Sequence, residues 1–284
     1  MTIKSSFFFN KPQIGIGTWR IGEKSANQSS EVDAIIFALE IGYRIIDTAE
    51  LYADGNSEKV VGKAIKNFGF NQRENLAVVS KVLPSNASSY GVVKSCEDSL
   101  RRLNLDYLDQ YLLHWQGNFS FEETLEGFVK LKEMGKILSW GVSNFDIEPL
   151  KKWLNTELKM GLNDSCKSNQ IHYSLNARNS EYSLIPFMDQ NGISVMAYTP
   201  LESGNLNNHK KLTAFALDSG FTAGQIALAW SIRNKNVVSI PKSSKKEHIY
   251  ENFNALKVDF KKSDLTYLNL LFTPPNKKNP LSII

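Results

Sequence analysis

Four side chains in the first 114 residues have the types and spacing to move a proton: Asp47, Tyr52, Lys81 and His114. Asp47 closes the run RIID, and Tyr52 follows five residues later in RIIDTAELY at 44 to 52. Lys81 ends LAVVSK, and His114 ends YLDQYLLH. A free phenol titrates near pH 10, at about 10, so it is a poor proton donor-acceptor at neutral pH. A neighbouring ammonium favours the phenolate and is expected to lower that value. Asp47 would keep Lys81 charged and in place, and His114 would orient a substrate oxygen. Together they suit a general acid beside an oxyanion pocket, protonating a carbonyl oxygen while hydride arrives at carbon. Each residue also has a plainer reading: a helix cap at 47, a half-buried tyrosine at 52, a solvated strand end at 81, a satisfied buried histidine at 114. The spacing of the four together argues against taking them one by one.

The elements that must position these residues alternate along the chain. Strand-like runs are QIGIG at 13 to 17, RIID at 44 to 47, LAVVSK at 76 to 81 and YLDQYLLH at 107 to 114. ILSWGVSNF at 137 to 145, KSNQIHYS at 167 to 174, ISVMAYTPL at 193 to 201 and VVSIPK at 237 to 242 continue the series. Helical periodicity fills the intervals. Ser29 and Ser30 offer N-caps to EVDAIIFALEIG, which stops at Gly42, and Asn56-Ser57 caps SEKVVGKAIKNF. YGVVKSCEDSLRRLN, FEETLEGFVKLKEMG with its stop at Gly135, and DIEPLKKWLN follow. Then come a broken helix in EYSLIPFMDQNG, the pair LTAFALDSG and TAGQIALAWSIRN, and KKEHIYENFNAL as the last main helix.

Repeated strand-helix units imply a parallel sheet. About eight of them in 284 residues predict an α/β fold, a (β/α)8 TIM barrel forming one domain over residues 1–284. A short N-terminal strand hairpin is expected from FFF at 7 to 9, a turn at Asn10-Lys11-Pro12, and QIGIG. Periodicity alone leaves an open doubly wound sheet as the alternative. The polar residues favour the barrel: Asp47, Lys81, His114, Ser143, Asn144, Gln170, Tyr198 and Lys242 all fall at or just after strand ends. In a barrel those ends converge on one mouth.

Composition excludes several classes. Hydrophobic residues make up 42% and charged residues 22%, the balance of a globular chain. The formal charge of +4 comes from scattered lysines rather than a basic block, so no nucleic-acid surface is read. Cys96 and Cys166 form no CxxC or Cys/His cluster, so no metal site is expected, and reduced thiols suggest a cytoplasmic protein. MTIKSSFFFNKP has too short an apolar run for a signal peptide, and no stretch reaches the roughly 18 residues of a membrane span. The expected partner is a small carbonyl compound, with neither membrane nor nucleic acid, and the expected state is a monomer. Gly15-Ile16-Gly17-Thr18 would let backbone approach a ligand but lacks the third glycine and the helix of a dinucleotide fingerprint.

DTAELY at 47 to 52, the lysine after VVS at 81, and LLHW at 112 to 115 resemble the aldo-keto reductase family in order and spacing. Further matches run along nearly the whole chain, from Ile14 to about Asn254. GVSNF at 141 to 145 implies Ser143 and Asn144 as holders of a nicotinamide carboxamide, and NQIHYS at 169 to 174 implies Gln170 for the same amide. AYTPL at 197 to 201 implies Tyr198 as the ring stacked on nicotinamide, with Thr199, Leu201 and Ser203 along the cofactor. Gly17 and Thr18 join the cofactor contacts. IPKSS, followed by EN, resembles the cofactor-phosphate segment and implies Lys242, Ser243, His248, Glu251 and Asn252.

The resemblance implies NADPH (NADP+) bound without a Rossmann fold and direct hydride transfer to an aldehyde or ketone. Tyr52 would be the acid, Lys81 and Asp47 its tuning pair, and His114 the orienting group. Trp19 and Trp115 would wall the substrate. There are two departures. His248 stands where the family usually has an arginine that grips the 2'-phosphate, which weakens the preference for NADPH and keeps NADH in play. The segment after His114 and the tail after Phe272 are short, implying an open mouth. An NAD-using sugar or alcohol dehydrogenase and a nicotinamide-binding regulatory or redox-sensing protein are the alternatives.

Overall fold

The computed structural model describes Phe8, residues 10–162 and residues 164–284. Its centre is an eight-stranded sheet whose strands follow in chain order. They are β1 (Ile16–Gly17), β2 (Ile45–Asp47), β3 (Ala77–Val82), β4 (Leu108–Leu113), β5 (Ile137–Ser143), β6 (Ser168–His172), β7 (Ser194–Tyr198) and β8 (Val237–Ser239). Every neighbouring pair is parallel. Parallel bridges from Ile14 to Ser239 and from Gly17 to Lys242 close the sheet on itself. The amide of Gly15 donates to Ser239 at 2.9 Å and that of Ser239 to Gln13 at 2.8 Å across this seam. Closure decides for the barrel over the open sheet.

The helices are α1 (Gln28–Glu40), α2 (Asn56–Phe68), α3 (Ser89–Leu103), α4 (Phe121–Glu133), α5 (Ile147–Lys159), α6 (Leu184–Asn191), α7 (Lys210–Asp218), α8 (Ala223–Ser231), α9 (Lys246–Phe253) and α10 (Lys262–Leu271). Side-chain alternation along the strands divides the core in two. Outward-facing Ile46, Val78, Tyr111 and Leu113 join the large apolar layer under the helices. Inward-facing Ile45, Val79, Leu112 and Met196 join Phe8, Ala77, Val238 and Ile240 in a small plug inside the barrel. Asp47, Lys81 and His114 each lie two residues beyond an inward-facing plug residue. The same alternation therefore aims them into the mouth above the plug.

Several local expectations change. α1 begins at Gln28, so Ser29 and Ser30 lie inside it; Ser30 Oγ donates to the Asn27 carbonyl instead. α2 begins at Asn56 behind Gly55 in the left-handed region, and Ser57 turns inward to bond other loops. α10 carried no sequence signal, because only Leu268 on it is buried and no apolar stripe forms. Of the expected hairpin, residues 7 and 9 lie outside the described residues, and QIGIG supplies β1 of the barrel. Its glycines serve the barrel. A Cβ on Gly15 would meet Ile45 Cβ at 2.9 Å, and one on Gly17 the Ile240 carbonyl oxygen at 2.6 Å.

Helix α2 crosses the end of α3 at Gly62, where a Cβ would sit 2.2 Å from the Leu103 carbonyl oxygen. Backbone cannot yield there as a flexible side chain would. Gly62→Ala is expected to lower stability by about 1–3 kcal/mol, the usual cost of overpacking. A urea midpoint that falls at unchanged m-value checks it.

Candidate active site

Among the described residues, the end of β2 and the loop after it supply every polar partner of one buried cation. Lys81 Nζ lies 2.8 Å from Asp47 Oδ1 and 2.9 Å from Oδ2, and donates to the Thr48 carbonyl at 2.9 Å and to Tyr52 Oη at 3.0 Å. The lysine is fully buried and the aspartate nearly so. Asp47 Oδ1 also accepts from Gln170 Nε2 at 2.7 Å, a side chain from β6 on another part of the barrel wall. The loops are held from below by hydroxyls. Thr18 Oγ1 donates to the Asp47 carbonyl at 2.9 Å, and Ser57 Oγ donates to Thr18 Oγ1 at 2.8 Å and lies 3.1 Å from Thr48 Oγ1. Thr18 and Ser57 are both fully buried.

Burial dominates the electrostatics. It pushes the Asp47 carboxyl up, and Lys81 offsets part of that rise. Burial would pull Lys81 down, but Asp47 and then Tyr52 hold it above the ordinary lysine value. Burial also pushes the Tyr52 phenol up, more than the Lys81 ammonium pulls it down. The expected depression of the phenol is thus corrected: in this setting Tyr52 keeps its proton. The His114 imidazole is pushed down to about 2, by burial first and by Lys81 second, so it is neutral. Its ring sits edge-on to Tyr52, with centroids 5.9 Å apart, and 4.8 Å from Trp115. His114 Nδ1 is buried and has no hydrogen-bond partner among the described residues.

The remaining expected residues divide into two groups. Ser143, Asn144, Gln170 and Tyr198 gather at the ends of β5, β6 and β7. Ser143 Oγ donates to the Gln170 carbonyl at 3.0 Å, and Asn144, at φ 61°, donates through Nδ2 to Ser143 Oγ and to the His114 carbonyl at 3.2 Å each. Tyr198 Oη donates to Asn144 Oδ1 at 2.8 Å. Thr199, Leu201 and Ser203 follow in the turn after β7, where Thr199 (φ 49°) and Ser203 (φ 53°) take left-handed backbone. Lys242, Ser243, His248, Glu251 and Asn252 form the second group, past β8 and along α9. Lys242 and His248 are exposed, Ser243 and Asn252 are buried, and Glu251 accepts from Thr222 Oγ1 at 2.5 Å. Trp19 and Trp115 are 47% and 40% exposed, on the loops after β1 and β4.

Leu51 and Phe119, in the loops after β2 and β4, add exposed apolar surface to this rim and were not read from the sequence. Nor were Thr48, Ser57, His172 and Glu202. Their signal was weak: His172 lies two residues past Gln170 on the same strand face, and the hydroxyls resemble ordinary loop residues. Chemically, the site joins a protonated phenol on a buried ammonium-carboxylate pair to a neutral imidazole. Beside them lie amide groups and an aromatic plate.

The Aldo/keto reductase family profile matches residues 13–271. The methylglyoxal reductase YeaE of Escherichia coli (strain K12) is 40% identical over 279 residues, covering 96% of this chain and 95% of that protein. The glyoxal reductase of Bacillus subtilis (strain 168) is 32% identical over 271 residues, covering 95% and 92%. The crystal structure of an aldo-keto reductase from Klebsiella pneumoniae in complex with NADPH superposes with a TM-score of 0.91 at 39% identity, covering 100% of both chains.

His114 gives a pH signature. Its folded pKa lies below the unfolded value of about 6.5, so its contribution is complete above that pH and is lost as pH falls below it. By pH 5 the linkage amounts to about 2 kcal/mol. Thermal midpoints taken between pH 7.5 and 5 should therefore fall further for the wild type than for His114→Gln, narrowing the gap between them.

Proposed function

The chain belongs to the aldo/keto reductase family, and on that premise we propose that it reduces small aldehydes and ketones, with NADPH as hydride donor. The observation that carries this is the Lys81 ammonium, buried within 3.0 Å of the Tyr52 hydroxyl and paired with Asp47. The phenol keeps its proton in the resting site. Once a carbonyl oxygen takes that proton, the ammonium stabilises the phenolate left behind. His114, neutral and seated beside Tyr52, orients the carbonyl oxygen by a hydrogen bond rather than by charge.

The residues present fit the cofactor. Ser143, Asn144 and Gln170 converge as amide and hydroxyl groups beside Tyr198, which suits an aromatic ring bearing a carboxamide. The N-terminus of α9 has no side-chain cap, and Lys242, Lys245 and Lys246 are exposed cations within its first residue and the four before it. Open helix amides with lysines suit a phosphate, which supports NADPH despite the histidine at 248. When bound, the cofactor supplies the hydride. Trp19, Leu51, Trp115 and Phe119 offer an apolar, open rim, suited to compact carbonyl substrates. The relatives named for methylglyoxal and glyoxal reduction point to small dicarbonyls as the first substrates to try.

Two variants test the roles. Tyr52→Phe should lower kcat with methylglyoxal by about 10²–10⁴-fold, the range of general acid catalysis, while the Kd for NADPH stays within about twofold. Turnover by Tyr52→Phe at the wild-type rate would eliminate the phenol as the acid. Lys242→Met should raise KM for NADPH roughly tenfold or more and leave KM for NADH unchanged, as loss of a charge-assisted phosphate contact predicts. Equal effects on both cofactors would remove Lys242 from the phosphate site.

A further inference from the structure

His172 ends β6 and pairs in register with Tyr198 at the end of β7. Their rings lie nearly parallel, 14° apart with centroids at 5.6 Å. The imidazole is held on its far side. Nε2 lies 2.9 Å from Glu202 Oε1, and Ser174 Oγ donates to the same carboxylate oxygen. Burial would raise the Glu202 carboxyl, but the bonds from His172 and Ser174 hold it below its ordinary value, so it is ionised. An ionised carboxylate only accepts, which places a proton on Nε2. Nδ1 is buried and bonds nothing among the described residues. The Glu202 link and the ring stack are therefore the side-chain contacts that orient this imidazole.

Glu202 itself sits in an unusual turn. Its φ is 51°, and it is followed by Ser203 at 53° and Gly204 at 93°. Left-handed backbone in non-glycine residues persists where surrounding contacts hold it. The bonds from His172 and Ser174 are such contacts. They tie the turn after β7 back to the end of β6. Tyr198 is consequently gripped twice, at its hydroxyl by Asn144 and on one ring face by His172.

We propose that the His172–Glu202 pair is a positioning device that fixes the plane of the Tyr198 ring for a nicotinamide to stack upon. The inference rests on the reading of Tyr198 as the nicotinamide plate. An aromatic stack is worth about three- to tenfold in affinity, and fixing the plate in advance secures that gain.

The test uses two probes with the full chain: NADPH, and 2'-phospho-ADP-ribose, which carries the adenosine, phosphates and second ribose but no nicotinamide. Dissociation constants are read by protein fluorescence for the wild type, His172→Leu, His172→Phe and Glu202→Ala. His172→Leu is expected to weaken NADPH about three- to tenfold and to leave 2'-phospho-ADP-ribose within about twofold. His172→Phe, which restores a flat ring, should recover part of the loss. Glu202→Ala opens no gap in the barrel wall, so it reads the same link if His172→Leu folds poorly, and it should show the same split between probes. NADPH affinity unchanged in both His172→Leu and Glu202→Ala would overturn the inference and leave the proposed function standing. Equal weakening of both probes would also overturn it, by assigning the pair to the phosphate-side turn. A wild type that binds 2'-phospho-ADP-ribose and NADPH equally well would remove the nicotinamide plate itself, and the inference with it.

Discussion

A buried ammonium sets the terms for everything around the mouth of this barrel. Lys81 reaches no water, and an unpaired charge at such depth costs several kcal/mol. Its hydrogen-bond partners among the described residues come from one short stretch: the Asp47 carboxylate, the Thr48 carbonyl and the Tyr52 hydroxyl. β2 must therefore lie directly beside β3, in parallel and in one register. The observed register pairs Asp47 with Val79, which puts Lys81 one inward-facing position further up its own strand. A slip of a single residue would turn Lys81 outward into the apolar layer under the helices.

That register is defended from two directions. Beneath the loops, Thr18, Ser57 and Thr48 link the ends of β1 and β2 to the first turn of α2 through buried hydroxyls. Gly15, just before β1, and Gly17 within it let the strand close against Ile45 on one side and the Ile240 carbonyl on the other. Across the barrel, Gln170 donates to the second acceptor atom of the pair, Asp47 Oδ1. β6 and β2 share no hydrogen-bonded edge, so a side-chain bond between them requires the sheet to curl shut. The ion pair and the barrel closure thus depend on each other.

Burial also settles protonation states. It holds the Tyr52 phenol above its ordinary value although Lys81 pulls it down, and it reinforces Lys81 in keeping His114 neutral. The rim above has the contrary character. Trp19, Leu51, Trp115 and Phe119 stand partly in solvent on the loops after β1, β2 and β4. A buried, charged floor thus lies under an apolar, partly exposed rim.

Much of this was legible in the residues. Strand-helix alternation and polar residues at strand ends are local patterns, because inward and outward faces repeat every second residue whatever the strand packs against. They located Asp47, Lys81, His114, Ser143, Asn144, Gln170 and Tyr198 and favoured a barrel over an open sheet, and Tyr52 was read from its place five residues after Asp47. Other features were decided only in three dimensions. Whether Tyr52 sits above or below its ordinary pKa depends on burial against charge, and no spacing reports depth. Ser57 resembles a helix cap in sequence but lies inside α2, which begins two residues earlier than a cap at Ser57 requires, and its buried hydroxyl bridges loops. α10 has a single buried side chain, too little apolar pattern to announce a helix. His172 and Glu202 are 30 residues apart and become partners only because β6 and β7 lie side by side and the turn after β7 folds back across them. The sequence by itself determined which side chains point inward; the closed sheet decided which of them meet.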